Sequence, residues 1–158
     1  MGVEIERKFL VDKHLFKPSA AGELVHQVYL KRSDRRSVRV RIIGTNAFIT
    51  IKSNVSAMVK NEFEYAIPLQ DAQEMMEMFK ELPAIKKIRY QQIIDGSEWV
   101  IDEFMEKNEG LLMAEIELSS TSASFSKPVW LLKEVTDDLR YHNSSLAAFP
   151  YKEWAEKP

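Results

Sequence analysis

Ser37-Val38-Arg39-Val40-Arg41-Ile42-Ile43-Gly44-Thr45-Asn46-Ala47-Phe48-Ile49-Thr50-Ile51-Lys52-Ser53 reads as two strands and the turn between them. Val38, Val40 and Ile42 alternate with Arg39 and Arg41, and Lys52 lies in the second run. Strict alternation puts both arginines on one strand face, about 6.5–7 Å apart. A short glycine-containing break between two such runs is a hairpin signal. The same signal recurs along the chain, predicting strands over 3–11, 23–32, 37–43, 47–53, 62–68, 86–94, 98–104 and 112–119, with a second short turn at 95–97. One helix is predicted over 69–82, with Asp71 able to cap it and Met75, Met76, Phe79 and Leu82 forming a core-facing stripe. Beyond Lys127-Pro128, residues 129–132, 137–141 and 144–149 read as short helical turns. Around eight antiparallel strands with a few helices predict an α+β fold, its sheet closed or nearly closed into a β-barrel.

Composition narrows the function. The 158 residues fit one domain, 1–158, and a hydrophobic share of 45% separates the chain from disordered polymers. The chain has no cysteine, which excludes disulfides, thiolate metal sites and cysteine nucleophiles. Its first ten residues, MGVEIERKFL, carry acids at once and hold no apolar run, so a cytoplasmic address and no membrane partner are expected. Glu6 occupies the position where a myristoylation motif has serine or threonine. A net charge of −2, from 22 basic and 24 acidic side chains, argues against a general nucleic-acid binder.

The placement of those charges says more than their total. Glu4, Glu6 and Lys8 share a face in the first strand, Glu62 and Glu64 in another, Lys87 and Arg89 in a third, and Glu115 and Glu117 in a fourth. Asp102 lies in the strand between the last two. On any single strand this is the wet face of an amphipathic sheet. Same-sign pairs on five strands are a different matter, because like charges on one face repel. They fit a metal ion among the carboxylates and a polyanion among the cations, gathered in one lumen where low dielectric strengthens both interactions.

The opening Glu4-Ile5-Glu6-Arg7-Lys8 resembles the E-x-E-x-K signature of the CYTH family, the triphosphate tunnel metalloenzymes. The match continues in order through Val38-Arg39-Val40-Arg41, Thr50-Ile51-Lys52, Glu62-Phe63-Glu64, Lys87-Ile88-Arg89-Tyr90, Asp102, Glu115-Ile116-Glu117, Glu134-Val135-Thr136 and Arg140-Tyr141. The resemblance runs from residue 1 to about 148 and is nearest to the small stand-alone bacterial members. It implies an eight-stranded antiparallel β-barrel forming a triphosphate tunnel, with metal-dependent hydrolysis of the terminal phosphoryl group of a triphosphate, tripolyphosphate first. Nucleoside or thiamine triphosphate hydrolysis, class IV adenylyl cyclase chemistry and a non-catalytic polyphosphate-binding module are the alternatives. A barrel for apolar ligands is disfavoured by the charged lumen positions.

The resemblance also implies roles. Mg2+ (or Mn2+) would be held chiefly by Glu4, Glu6, Glu115 and Glu117, with Glu62, Glu64 and Asp102 supporting them or binding a second ion; such hard ions take oxygen ligands. Lys8, Arg39, Arg41, Lys52, Lys87 and Arg89 would neutralise the triphosphate, arginine bidentately. Attack would come from a water held by metal or by a carboxylate such as Glu6, with Lys87 stabilising or protonating the leaving oxygen. Tyr29 stands where relatives have a tyrosine acting on the attacking water; it also reads as a tyrosine packed on a barrel strand. Arg140 reads either as a phosphate contact from the tail or as a surface arginine. Departures from the family pattern are Val28 before Tyr29, Leu131-Leu132-Lys133 after Trp130, and His142 where a lysine is common. They bear on the lid, the tail and substrate preference. His14, His26 and His142 show no ligand spacing and read as surface or structural. The partners implied are a small-molecule triphosphate and a second copy in a homodimer.

Overall fold

Pairing along the sheet returns to its own first strand. The computed structural model describes residues 2–158. Its strands are β1 (Gly2–Val11), β2 (Glu23–Arg32), β3 (Arg36–Ile43), β4 (Asn46–Asn54), β5 (Val59–Ile67), β6 (Ala84–Ile94), β7 (Ser97–Phe104), β8 (Leu112–Glu117) and β9 (Leu131–Glu134). Helix α1 (Leu69–Met78) joins β5 to β6, and a short helix α2 (Asn143–Ala148) lies in the tail. The hydrogen-bonded order is β5-β4-β3-β2-β6-β7-β8-β1, and β1 pairs back onto β5 through Gly2↔Glu62 to Ile5↔Val59. Every one of these pairings is antiparallel, so eight strands close into a barrel with no free edge. The ninth strand lies outside the ring, paired to the end of β1 at Phe9↔Glu134 and Val11↔Leu131.

Local chemistry explains the turns and several departures from the sequence reading. Asp95 and Gly96 both have positive φ, 49° and 80°, which is what a two-residue turn of type I′ requires between β6 and β7. Helix α1 stops at Met78, short of the predicted 82. Asp71 sits in its first turn without capping it; the N-cap is Pro68, with no side-chain hydrogen bond. Strand β5 begins at Val59 rather than at 62. Of the predicted helical turn over 129–132, only 129–130 form a turn, and 131–132 are the first half of β9.

Apolar residues cover the barrel in three places. Outside β1, β7 and β8, Phe9, Trp99, Phe125 and Trp130 meet edge to face with ring centres 5.5–5.9 Å apart. Outside β2 and β3, Ala72 and Met76 of α1 pack on Val28 and Val40. The third cluster lies at one end of the lumen. Leu10, Ile85, Phe104 and Met113, which share strand parity with Lys8, Lys87, Asp102 and Glu115, pack against Tyr141, Leu146, Tyr151 and Trp154 of the tail. This apolar packing closes one end, and the charged positions occupy the rest.

Candidate active site

The inward faces of β1 to β6 and β8 line a cavity together with residues of the β2–β3 loop and the tail. Glu4, Glu6 and Lys8 come from β1, Tyr29 from β2, Arg39 and Arg41 from β3, Lys52 from β4, Lys60 and Glu62 from β5, Lys87 and Arg89 from β6, and Glu115 from β8. Arg35 and Arg36 stand at the loop, and His142, Asn143 and Ser144 face it from the tail. Nine lysine or arginine side chains thus meet four glutamates in a chain whose net charge is −2.

Each carboxylate is met by a cation. Lys52 Nζ lies 2.9 Å from both Glu4 and Glu62. Glu6 is 3.1 Å from Lys60 and 3.8 Å from Lys8, and Glu115 is 3.5 Å from Lys8. Glu64, just off the cavity, takes hydrogen bonds from Arg41 at 2.9 Å and from Thr50 Oγ1 at 2.7 Å. Asp102 is fully enclosed; Lys87 Nζ donates to it at 2.8 Å and Arg89 bidentately at 2.8 Å. The Nε atoms of Arg39 and Arg41, Oε1 of Gln27 and Nε2 of His142 are buried and without a hydrogen-bond partner among the described residues. The two guanidinium Nε atoms are unpaired buried donors of residues lining a cationic cavity, an arrangement an anion would complete.

The field inside follows from burial and neighbours. Burial pushes the Lys87 ammonium down to about 7, with Arg89 adding to the effect and Asp102 opposing it. Burial, then Arg39 and Arg89, bring Arg41 to about 10. Burial, with Glu6 and Glu62 adding, raises Glu4 although Lys52 opposes it. Glu6 is held below the usual carboxylate range: burial works against its charge, and Lys8, Lys52 and Lys60 outweigh it. Against the same penalty, Lys8, Arg89 and Lys87 hold Glu115 well below that range. Burial, with Lys8 and Lys60, drives His142 down to about 3, so its imidazole is neutral.

Most of the residues picked from the sequence meet here. Glu4, Glu6, Lys8, Tyr29, Arg39, Arg41, Lys52, Glu62, Lys87, Arg89 and Glu115 line the cavity. Glu64 and Asp102 stand behind it, engaged by arginine and lysine. Glu117 is exposed and does not line it, although it lies opposite Glu6 in the β1–β8 register. Arg140 is not brought to it: its guanidinium is bidentate on Asp138 and stacks over Trp154 at 4.7 Å on the outside. His142 is buried at the cavity, which rules out the surface reading of this residue and leaves the structural one. Lys60, Arg35, Arg36 and Asn143 were missed. Lys60 keeps the parity of Glu62 and Glu64, so its signal was present one step before the predicted strand began.

The CYTH domain family matches residues 2–149. The chain belongs to the CYTH family. It is similar to the inorganic triphosphatase of Acetivibrio thermocellus, with 43% identity over 99% of this chain and 100% of that one. The inorganic triphosphatase of Nitrosomonas europaea is 35% identical over 91% of this chain and 96% of its own length. A crystal structure of an inorganic triphosphatase superposes with a TM-score of 0.65 and 34% identity, covering 91% of this chain and 93% of that one. A Pyrococcus horikoshii protein of 23% identity shares the fold, with a TM-score of 0.58 over 75% of this chain and 80% of its own. CYTH triphosphate tunnel enzymes are metal-dependent, and the cavity's donors fit a hard divalent ion, being carboxylate oxygens. Among the described residues no three acidic or histidine side chains are gathered closely enough to enclose an ion alone. One or two carboxylates, with water and phosphate oxygens completing the shell, suit such a site. No helix among the described residues is long and apolar enough to cross a membrane.

Proposed function

We propose that this CYTH protein hydrolyses the terminal phosphoanhydride of inorganic tripolyphosphate with the help of magnesium or manganese. The observation that carries the reading is the cationic excess of the cavity in an acidic chain, with buried guanidinium nitrogens left unpaired. The two inorganic triphosphatases at 43% and 35% identity support the choice of substrate. One or two of Glu4, Glu6, Glu62 and Glu115 would hold the ion, whose chemistry would be to neutralise phosphate oxygens.

Phosphoryl transfer asks for positioning and charge stabilisation more than for covalent chemistry. Arg39, Arg41, Lys8, Lys52, Lys60 and Arg89 bind and orient the chain of phosphates from several walls at once. Glu6 stays ionised and orients the attacking water by accepting its hydrogen bond. Tyr29 Oη accepts from Gln27 Nε2 at 2.9 Å, which leaves the phenol's own proton for the attacking water or a phosphate oxygen. Lys87, with an ammonium brought to about 7, gives its proton to the leaving phosphate at neutral pH. Cytoplasmic residence and a homodimer belong to the same reading; Ile51 and Phe63, paired on neighbouring strands and exposed outside the barrel, offer an apolar face for the dimer.

Phosphate release from tripolyphosphate and from ATP, each with magnesium, manganese or chelator, tests this. Metal-dependent release favouring tripolyphosphate is expected. Tight binding without turnover, or cyclic AMP with pyrophosphate from ATP, would overturn it.

A further inference from the structure

Lys87 Nζ, 1% exposed as a residue, has three protons to donate, and the structure accounts for two of them. One goes to Asp102 Oδ2 at 2.8 Å, the other to Asn143 Oδ1 at 2.9 Å. Asn143 is itself buried and comes from the tail, 56 residues further along the chain. Because an ammonium only donates, the amide must present its oxygen here. The same oxygen lies 3.5 Å from Gln27 Nε2, whose other contact is the Tyr29 hydroxyl. One amide oxygen therefore meets Lys87 directly and Tyr29 through Gln27, two groups that line the cavity.

The tail does not need this contact to stay in place. Tyr141, Leu146, Tyr151 and Trp154 are packed in the barrel-end cluster. Asn108 also takes a hydrogen bond from the Tyr151 backbone at 2.8 Å and donates to the Leu146 carbonyl at 3.5 Å. A tail so anchored gives Asn143 a fixed origin, and a fixed acceptor restricts how the lysine can turn.

We propose that Asn143 is a positioning residue for Lys87: with Asp102 it holds two of the ammonium's donors, so that the third faces the leaving phosphate. This rests on the triphosphatase reading and goes beyond it, since it makes the tail part of the catalytic apparatus. The test is a double-mutant cycle of Asn143→Ala and Lys87→Ala, with kcat and KM measured on tripolyphosphate at saturating magnesium. In the wild-type background N143A lowers kcat about tenfold or more, as loss of a hydrogen bond to a charged group does, with little change in KM. In the K87A background it has no further effect. Asn108→Ala, which loosens the same tail without touching Lys87, lowers Tm, and whatever it takes from kcat by unsettling Asn143 is absent in the K87A background. Should N143A fail to fold, Asn143→Ser, too short to reach Lys87, replaces it in the cycle. Equal losses in both backgrounds, or an unchanged kcat in N143A, would overturn the proposal while leaving the hydrolase reading intact. A wild-type protein without turnover overturns both.

Discussion

Replacing Asp102 by Asn removes one charge from the Lys87–Asp102 pair, the most enclosed ion pair among the described residues, and leaves its shape. Asp102 is 2% exposed and accepts from Lys87 once and from Arg89 twice, all at 2.8 Å. Removing one partner of a buried pair costs about 3–5 kcal/mol, because the charge left behind has neither water nor counterion. Two features set the loss at the lower end. Lys87, already brought to about 7, can shed its proton, whereas Arg89 cannot. Asn also keeps one acceptor oxygen. About 3 kcal/mol is expected at pH 7, a fall in Tm of roughly 6–12 °C for a domain of this size. Urea denaturation in the presence of chelator reads it directly. The sign with pH follows from Asp102's native pKa lying below its ordinary 3.8. The stability it contributes is fully present above that ordinary value and is lost as pH falls through the native one. The gap between wild type and D102N should therefore hold from pH 7 down to about 4 and narrow below it. Added tripolyphosphate should stabilise D102N more than wild type, since it supplies the missing negative charge. A D102N protein within 1 kcal/mol of wild type in chelator, with a difference that emerges only when metal is added, would show that Asp102 is a ligand and not a counterion.

Three further outcomes follow from the same geometry. Glu6→Gln should lower metal-dependent turnover on tripolyphosphate by about a hundredfold, as removal of a group that stabilises the transition state does; unchanged metal-dependent turnover in steady-state assays would remove Glu6 from the site. Lys60→Met, which keeps much of the stem and loses the charge, should raise KM for tripolyphosphate several-fold and leave kcat nearer wild type, as loss of uniform binding does. A KM equal to wild type would mean that Lys60 serves only Glu6. His142, neutral in the fold with a native pKa of about 3 against an ordinary 6.5, leaves the unfolded chain binding the extra proton between those values. Stability should fall as pH drops from about 6.5 towards 3, and urea titrations at pH 7, 6 and 5 should show a shallower fall in His142→Gln.

Strand parity carried most of this fold. A charge at every second position with an aliphatic residue between means the same thing on an open sheet and on a closed barrel: one face is polar. Like charges on successive strands then distinguish the two, because only closure brings Arg39, Lys87 and Glu115 to one space. Parity does not report depth. Glu115 and Glu117 share a face by spacing, yet the first lines the cavity and the second is exposed. Nor does it report whether a carboxylate is free. Asp102 reads as a metal ligand from its residue type, and only the fold shows that its carboxylate meets Lys87 and Arg89 of the neighbouring strand.

What spacing could not supply came from segments whose position is set by contacts distant in sequence. Strand β9 has four residues and exists because β1 runs on past its pairing with β5, offering Phe9 to Glu134 and Val11 to Leu131. Without that partner, a run after proline reads as a turn. The tail reaches the lumen because Leu146 and Tyr141 fill the barrel end left apolar by Leu10, Ile85 and Met113. That packing fixes where residues 142–144 must lie and turns Arg140 outward onto Asp138. A histidine and an asparagine in such a tail carry no signal of their own, since neither forms a period with anything nearby. Their chemistry is legible only through the neighbours they meet: two lysines that keep His142 neutral, and one lysine that needs an oxygen from Asn143. The apolar stopper at the barrel end and the polar contacts beside it are consequences of the same packing, so a substitution that loosens Leu146 should reach Lys87 without touching it.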